Sequence, residues 1–188
     1  MTGQSRDIQE PMTRDETRGR AVAAPAFPRR TAAELMDVTF VAKWADRATL
    51  GAAARAALHD ILARLVADGA PIDVASLDHP RAAVEELDAR DLVYLSDGRV
   101  VLAYPWSATP TAFVTVLADG RQRWACCAID ALGIPALLGQ PVTVRAACHH
   151  CAEPIDLAMT PTGPRNGEGV MAWIGDRGDL RGKACTAL

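Results

Sequence analysis

At 188 residues, the chain is long enough for one domain with a sizeable core or for two small domains sharing one. Its net charge of −3 and isoelectric point near 5.8 do not indicate the excess of positive charge that nucleic-acid-binding proteins carry. No apolar run approaches the roughly 18–20 residues that span a bilayer, and residues 1–30 lack the apolar core of a secretory signal. We therefore expect a cytoplasmic protein with no membrane partner.

The first elements predicted are a disordered tail and two helices. Residues 1–30 mix both charge signs with proline and show no periodicity, which predicts disorder. A capping box at Thr31 predicts a short helix over residues 31–43. Apolar residues then recur at helical spacing over residues 50–66, and Gly69 is suited to end that helix.

A third helix and a hairpin complete a predicted N-terminal domain, residues 31–106. The helix is predicted over residues 80–89, and Asp97-Gly98 between two apolar runs is a strong hairpin signal. Three helices followed by a hairpin is the order of a winged helix. The candidate recognition helix nevertheless carries three acidic residues, which repel a phosphate backbone. We therefore favour a structural role for this domain over DNA binding.

Residues 107–188 are predicted to form a mostly antiparallel sheet with short helices. A short helix is predicted over residues 124–132, broken near Gly133 and Pro135. Strands are predicted at residues 113–117, 141–147, 155–159 and 169–174. The predicted fold class is therefore α+β, with a helical, winged-helix-like N-terminal domain followed by an antiparallel sheet domain.

All five cysteines lie in the last third of the chain, at Cys126, Cys127, Cys148, Cys151 and Cys185. In a reducing cytosol, clustered cysteines favour metal binding or catalysis over disulfides. A single cysteine is also often just a small buried hydrophobe. The set as a whole therefore favours soft-metal chemistry, because thiolates are the softest ligands that a protein offers.

Cys127 and Asp130 lie three residues apart, so they project from one face of a helical turn. Unpaired N–H groups at a helix start favour a thiolate. The neighbouring carboxylate pushes one of the two groups to hold a proton. The thiol is therefore suited to bind a soft metal, and the carboxyl is suited to transfer a proton. The alternative is an aspartate that only stabilises the helix dipole.

The second cysteine motif is Cys148-His149-His150-Cys151. A Cys-x-x-Cys pair is half of a zinc site, but the chain has no second pair of that kind. Structural zinc is therefore the less favoured alternative. His149 and His150 are interpreted as turn residues.

With these residues in hand, the chain resembles the organomercurial (alkylmercury) lyases of bacterial mercury resistance. Residues 124–139, WACCAIDALGIPALLG, are similar to the family segment Cys-Ala-Leu-Asp-x-Leu-x-x-Pro-Ala-Leu-x-Gly. Cys127 and Asp130 fall on its catalytic cysteine and aspartate. Residues 142–148 resemble the strand that carries a structural cysteine, and residues 181–185 resemble the segment that bears the second catalytic cysteine. Cys126 departs from the family, which often has an aromatic residue there, and Cys151 adds the Cys-x-x-Cys.

The resemblance implies protonolysis of a carbon–mercury bond to give a hydrocarbon and Hg(II). Cys127 would attack mercury, Cys185 would supply a second thiolate, and Asp130 would deliver the proton to carbon. It implies no required cofactor, with Hg(II) held as bound product until mercuric reductase or small thiols remove it. Either a monomer or a homodimer is compatible with it.

Two other functions remain open at this stage. A lyase-like protein that binds mercury, copper or zinc without catalysis is favoured by the Cys-x-x-Cys, with Cys126, Cys148 and Cys151 as further candidate ligands. A metal-responsive regulator is suggested by the winged-helix order. The Cys127–Asp130 pair favours the lyase over storage, which requires no proton donor, and the acidic residues of the candidate recognition helix argue against the regulator.

Overall fold

A computed structural model of the chain describes residues 49–172. The predicted tail at residues 1–30, the predicted helix at 31–43 and Cys185 lie outside these residues. Within residues 49–172, no helix has the length and apolar character needed to cross a membrane.

The two helices predicted in the described part of the first half are confirmed. Helix α1, Ala52–Asp68, buries one apolar stripe that includes Ile61 and Leu65. It ends at Gly69, whose left-handed backbone (φ 67°) lets its N–H donate to Leu65 O. Helix α2, Arg81–Ala89, buries three apolar side chains in the same core.

A short strand and the predicted hairpin follow the same helical region. Strand β1, Ile72–Asp73, and strand β2, Val93–Ser96, both pair antiparallel with strand β3, Arg99–Ala103. Asp97 and Gly98 connect β2 to β3 with positive φ angles of 49° and 74°. Two consecutive left-handed residues match the tight hairpin turn that Asp-Gly predicts.

One antiparallel sheet continues from this hairpin into the second half of the chain. Its remaining strands are β4 to β9: Trp106–Ser107, Val114–Val116, Gln122–Ala125, Val142–Ala147, Pro154–Thr160 and Gly163–Pro164. The order is β1-β3-β4-β6-β5-β7-β8-β9, with β2 also paired to β3. The α+β class and antiparallel pairing are thus confirmed. The predicted domain boundary between residues 106 and 107 falls inside β4, and one hydrophobic core spans it.

The helix predicted over residues 124–132 is displaced along the chain. Trp124 lies in β6, paired with Ser107 on one side and Val114 on the other. Helix α3 instead covers Ala128–Leu138. The predicted break was wrong, because Pro135 lies inside this helix. A proline inside a helix removes one backbone hydrogen-bond donor, and the side chain of Pro135 is fully buried.

The last predicted strand covers residues 169–174, of which the structure describes residues 169–172. Residues 169–172 carry no strand, and Gly169 has a φ of 80° that an extended strand does not adopt. The short strand β9, Gly163–Pro164, lies earlier in the chain and pairs with β8.

Two arginines hold the end of α1 against the sheet. Arg123, on β6, donates from Nε to the carbonyl oxygens of Leu65 (3.1 Å) and Val66 (2.8 Å), and also bonds Ala67 O. Arg121 donates to Val66 O, 3.1 Å away. The bonds to Val66 and Ala67 satisfy carbonyls that the last turn of a helix leaves without partners, and the bond to Leu65 O adds to the one from Gly69 N–H. They also fix β6, the strand that leads directly to Cys126 and Cys127.

Candidate functional site

Cys127 stands at the junction between β6 and α3. It is the N-cap residue of α3, with an extended backbone (φ −150°, ψ −179°). The preceding residue, Cys126, donates its backbone N–H to Pro105 O at 3.0 Å. Thr111 Oγ1 donates to Ala125 O at 2.6 Å, which holds the end of β6 in place. The sequence carries no local sign of the Thr111 contact, since the two residues are far apart in the chain.

The thiol of Cys127 and the carboxyl of Asp130 contact each other, as the spacing predicted. Cys127 Sγ donates to Asp130 Oδ2 at 3.0 Å. In return, the backbone N–H of Asp130 donates to Cys127 Sγ at 3.5 Å. The sulfur therefore replaces the hydroxyl of an ordinary N-cap serine, and the helix start fixes the thiol against the carboxylate.

The environment of Cys127 favours the neutral thiol over the thiolate. Burial and the carboxylate of Asp130, which accepts the thiol proton, together raise the pKa of Cys127 to about 11, burial having the larger effect. Backbone N–H groups of Ile129 and Asp130 act oppositely, but they are outweighed. The effect of the helix start on the thiolate is therefore smaller than the opposing effects of burial and of Asp130. The direction of the shift agrees with the prediction that one of the two groups holds a proton.

The surroundings of the pair combine partial burial with an apolar surface. Cys127 and Asp130 are both half-buried. Ile129, between them in the sequence, is 50% exposed, and Leu137 further along α3 is 56% exposed. An exposed apolar side chain two residues along the chain from the thiol suits an organic group as well as a metal. Cys126 is also half-buried and lies next to Cys127.

Cys148 and Cys151 lie in the turn between β7 and β8. Cys148 is half-buried and Cys151 is exposed, and both are free thiols. Hydrogen bonds from the backbone of Cys151 and of His150, with a smaller one from the Cys151 thiol, lower the pKa of Cys148. His149 and His150 are exposed turn residues, as predicted.

The described residues do not supply a conventional zinc site. Between residues 49 and 172, no group of three or more histidine, cysteine, aspartate or glutamate side chains is arranged to hold a metal ion. The turn therefore offers two thiols rather than the four ligands of structural zinc. Cys185 lies outside the described residues, and its place beside Cys127 stays a prediction.

Strand register relates the two cysteine groups. Val114 on β5 pairs with Trp124 on β6 and with Arg145 on β7. Both outer strands run antiparallel to β5, so β6 and β7 run in the same direction. Cys127 lies three residues beyond Trp124, and Cys148 lies three residues beyond Arg145. The two strands therefore end at the same side of the sheet, two strand spacings or about 10 Å apart, and each cysteine follows its strand there.

Comparisons with known proteins converge on one family. Residues 106–185 match the family model described as alkylmercury lyase. An alkylmercury lyase of Bacillus cereus is 43% identical over 65 residues, which are 34% of this chain and 28% of that protein. One of Streptomyces lividans is 33% identical over 107 residues, 53% of this chain and 48% of that protein. The chain thus spans about half or less of these curated relatives.

A solved structure shares the fold. The mercury-bound form of MerB2 superposes with a TM-score of 0.53 at 24% identity, covering 63% of this chain and 61% of that one. The family match, residues 106–185, contains Cys127, Asp130 and Cys185.

Proposed function

We infer that the chain cleaves carbon–mercury bonds by protonolysis, because residues 106–185 match the family model described as alkylmercury lyase. The observation that carries this proposal is the hydrogen bond between Cys127 Sγ and Asp130 Oδ2, 3.0 Å long. A thiol is the ligand that mercury prefers. The carboxylate in contact with it is placed to take up the proton that metal binding displaces.

The reaction balances without a cofactor. Cys127 sulfur bonds to the mercury of R–Hg⁺, and its proton passes to Asp130. Asp130 then delivers that proton to the carbon, the carbon–mercury bond breaks, and its electron pair forms the new C–H bond of R–H. Mercury keeps its Hg(II) oxidation state throughout, so neither oxidant nor reductant is consumed. The product Hg²⁺ remains on sulfur.

The raised pKa of Cys127 supports this order of events. A neutral thiol keeps its proton inside the site until a soft electrophile arrives, because burial and Asp130 hold its pKa near 11. Binding of mercury to sulfur makes the proton labile, and the hydrogen bond already aims it at Oδ2. The catalytic proton is therefore supplied by the nucleophile itself.

Cys185 is proposed as the second thiolate on mercury. Its support is the match of residues 106–185 to the family, which includes it, and the preference of mercury for sulfur. A second thiolate adds electron density to mercury and weakens its bond to carbon. Small thiols or mercuric reductase would then remove Hg²⁺ from the pair of sulfurs, in the cytoplasm.

The N-terminal part is proposed to be a winged-helix-like structural domain, residues 31–106, beside a catalytic domain, residues 107–188. Helix α2 with the β2–β3 hairpin supports the first, and the position of α3 after β6 supports the second. Because β4 bonds to both β3 and β6, the two would share one sheet. The acidic residues Glu85, Glu86 and Asp88 of α2 support a structural role rather than DNA binding.

The test is formation of benzene from phenylmercuric acetate in excess thiol, followed by headspace gas chromatography. We expect benzene from the native chain and none above background from Cys127→Ser, because a hydroxyl does not bind mercury as thiolate does. Cys126→Ser distinguishes the role of Cys126 from that of Cys127. This variant should release benzene at a rate close to that of the native chain, because Asp130 is hydrogen-bonded to Cys127. Stoichiometric capture of mercury without benzene by the native chain would refute the lyase proposal.

A further inference from the structure

A second pair of thiols lies outside the Cys127 site, in the turn from β7 to β8. Cys148 directly follows β7, and Cys151 comes before β8. Both thiols are free, and Cys151 is exposed. The chemistry proposed for Cys127 and Asp130 uses neither.

The backbone of this turn holds the two thiols together. Cys148 N–H donates to Glu153 O and Ala152 N–H donates to Cys148 O, both at 2.8 Å. Ala152 has a φ of 59°, a left-handed conformation that a residue with a Cβ rarely adopts. The two hydrogen bonds fold the chain back over residues 148–153, which brings Cys148 and Cys151 close together within one tight turn.

The number of ligands decides which metal fits. Among the described residues no third histidine, cysteine or carboxylate completes a metal cluster here, whereas zinc in proteins takes four ligands. Soft d¹⁰ cations such as Hg²⁺ are satisfied by two thiolates in a nearly linear arrangement. Thiolate is also the protein ligand that selects soft cations.

We propose that Cys148 and Cys151 form a two-thiolate site that binds a soft, two-coordinate cation, Hg²⁺ being the one used to test it. Binding replaces two S–H bonds by two S–Hg bonds and releases two protons, with no change of oxidation state. The site does not rest on the proposed lyase activity, because it needs only the two thiols of the turn. Its position at the same end of the sheet as Cys127 suits it to hold Hg²⁺ that leaves there.

The test uses the full chain with the other three cysteines replaced, as Cys126→Ser, Cys127→Ser and Cys185→Ser. This parent variant is reduced, given one equivalent of HgCl₂ with excess glutathione, and examined by native mass spectrometry. We expect one mercury per chain, with the loss of two protons and without glutathione. A glutathione–mercury adduct on each cysteine instead would show two independent thiols and would overturn the proposal.

Single substitutions in that parent show whether the thiols act together. Cys151→Ser, at an exposed position, should lower mercury retention against glutathione by about 10²-fold or more, because the second thiol is then no longer tethered. Unchanged retention would overturn the site. His149→Ala with His150→Ala keeps both thiols and should retain mercury, whereas loss would assign an imidazole ligand and overturn the two-thiolate assignment. Circular dichroism checks that each variant is folded.

A parallel experiment with Zn²⁺ tests how many ligands the site offers to a metal ion. Under a competing chelator, the same parent variant should keep no Zn²⁺, and one zinc per chain would overturn the two-coordinate assignment. Failure here is distinct from failure of the lyase proposal, because the parent variant lacks Cys127 altogether. If the native chain forms benzene but the parent variant binds no mercury, the two-thiolate site is refuted and the lyase proposal stands.

Discussion

Asp130 contacts the Cys127 sulfur twice, once as donor and once as acceptor. Its backbone N–H donates to Sγ at 3.5 Å, while its carboxylate accepts the thiol proton at 3.0 Å. The first contact depends only on the helix start, whereas the second depends on the carboxylate. A substitution of the side chain therefore removes the proton acceptor and leaves the cap that positions the sulfur.

Asp130→Asn should capture mercury but cleave slowly. The asparagine keeps the size of the side chain and the backbone N–H bond to sulfur, but it cannot pass a proton between thiol and carbon. Loss of general acid–base catalysis costs roughly 10²–10⁴-fold in rate, so kcat for benzene release should fall by that order. The matched control is Asp156→Asn. Asp156 is an exposed carboxylate on β8 that pairs with Arg145 of β7, and this variant should turn over normally. Normal turnover by Asp130→Asn would remove the proton-donor role.

The same substitution should lower the pKa of Cys127. The carboxylate raises that pKa both by accepting the thiol proton and by its charge, and asparagine carries no charge. Burial remains, so the pKa should fall from about 11 without becoming unusually low. The rate of iodoacetamide alkylation of Cys127 against pH measures the midpoint, in variants where the other cysteines are serine. An unchanged midpoint would show that Asp130 does not act on the thiol.

Stability at alkaline pH should depend on Cys127. Folding raises the thiol pKa from 9.0 to about 11, so the folded chain holds this proton more tightly than the unfolded chain. The stabilisation is complete below pH 9.0 and is lost as pH rises to about 11. Urea unfolding across that window should show a steeper fall in the free energy of unfolding for the native chain than for Cys127→Ser. Parallel curves would contradict the raised pKa.

Arg123→Ala should destabilise the fold, because Arg123 joins β6 to the end of α1. The substitution leaves the carbonyls of Leu65 and Val66 without this partner. Each carbonyl keeps one other donor, Gly69 N–H for Leu65 and Arg121 for Val66, so the loss is that of hydrogen bonds from a charged donor, about 1.5–3 kcal/mol in the free energy of unfolding. Arg81→Ala is the matched control, since its ion pair with Glu85 is exposed and worth about 0–1 kcal/mol. If both variants lose the same free energy of unfolding in urea, the contacts of Arg123 with the end of α1 do not stabilise the fold.

The local part of the site was predictable, and the non-local part was not. Cys127 and Asp130 meet because a spacing of three residues at a helix start brings side chains together. The start of α3 was misplaced because Trp124 is held in a strand by Ser107 and Val114, and strand pairing of this kind leaves no local signal. The Arg123 contacts to α1 join residues 57 or more positions apart, beyond any local pattern. Cys185 stays a prediction from family resemblance.

Two glycines should respond oppositely to alanine. Gly69 ends α1 with a φ of 67°, and a Cβ there would lie 3.0 Å from Arg123 Cδ. Gly69→Ala should therefore lower the free energy of unfolding by about 1–2 kcal/mol, the cost of a left-handed L-residue. Gly133 lies within α3 with nothing within 4 Å of an added Cβ, so Gly133→Ala should raise it by about 0.5–1 kcal/mol. Thermal or urea unfolding measures both changes. Stabilisation by Gly69→Ala would contradict the left-handed helix end, and destabilisation by Gly133→Ala would contradict the continuous helix that carries Asp130.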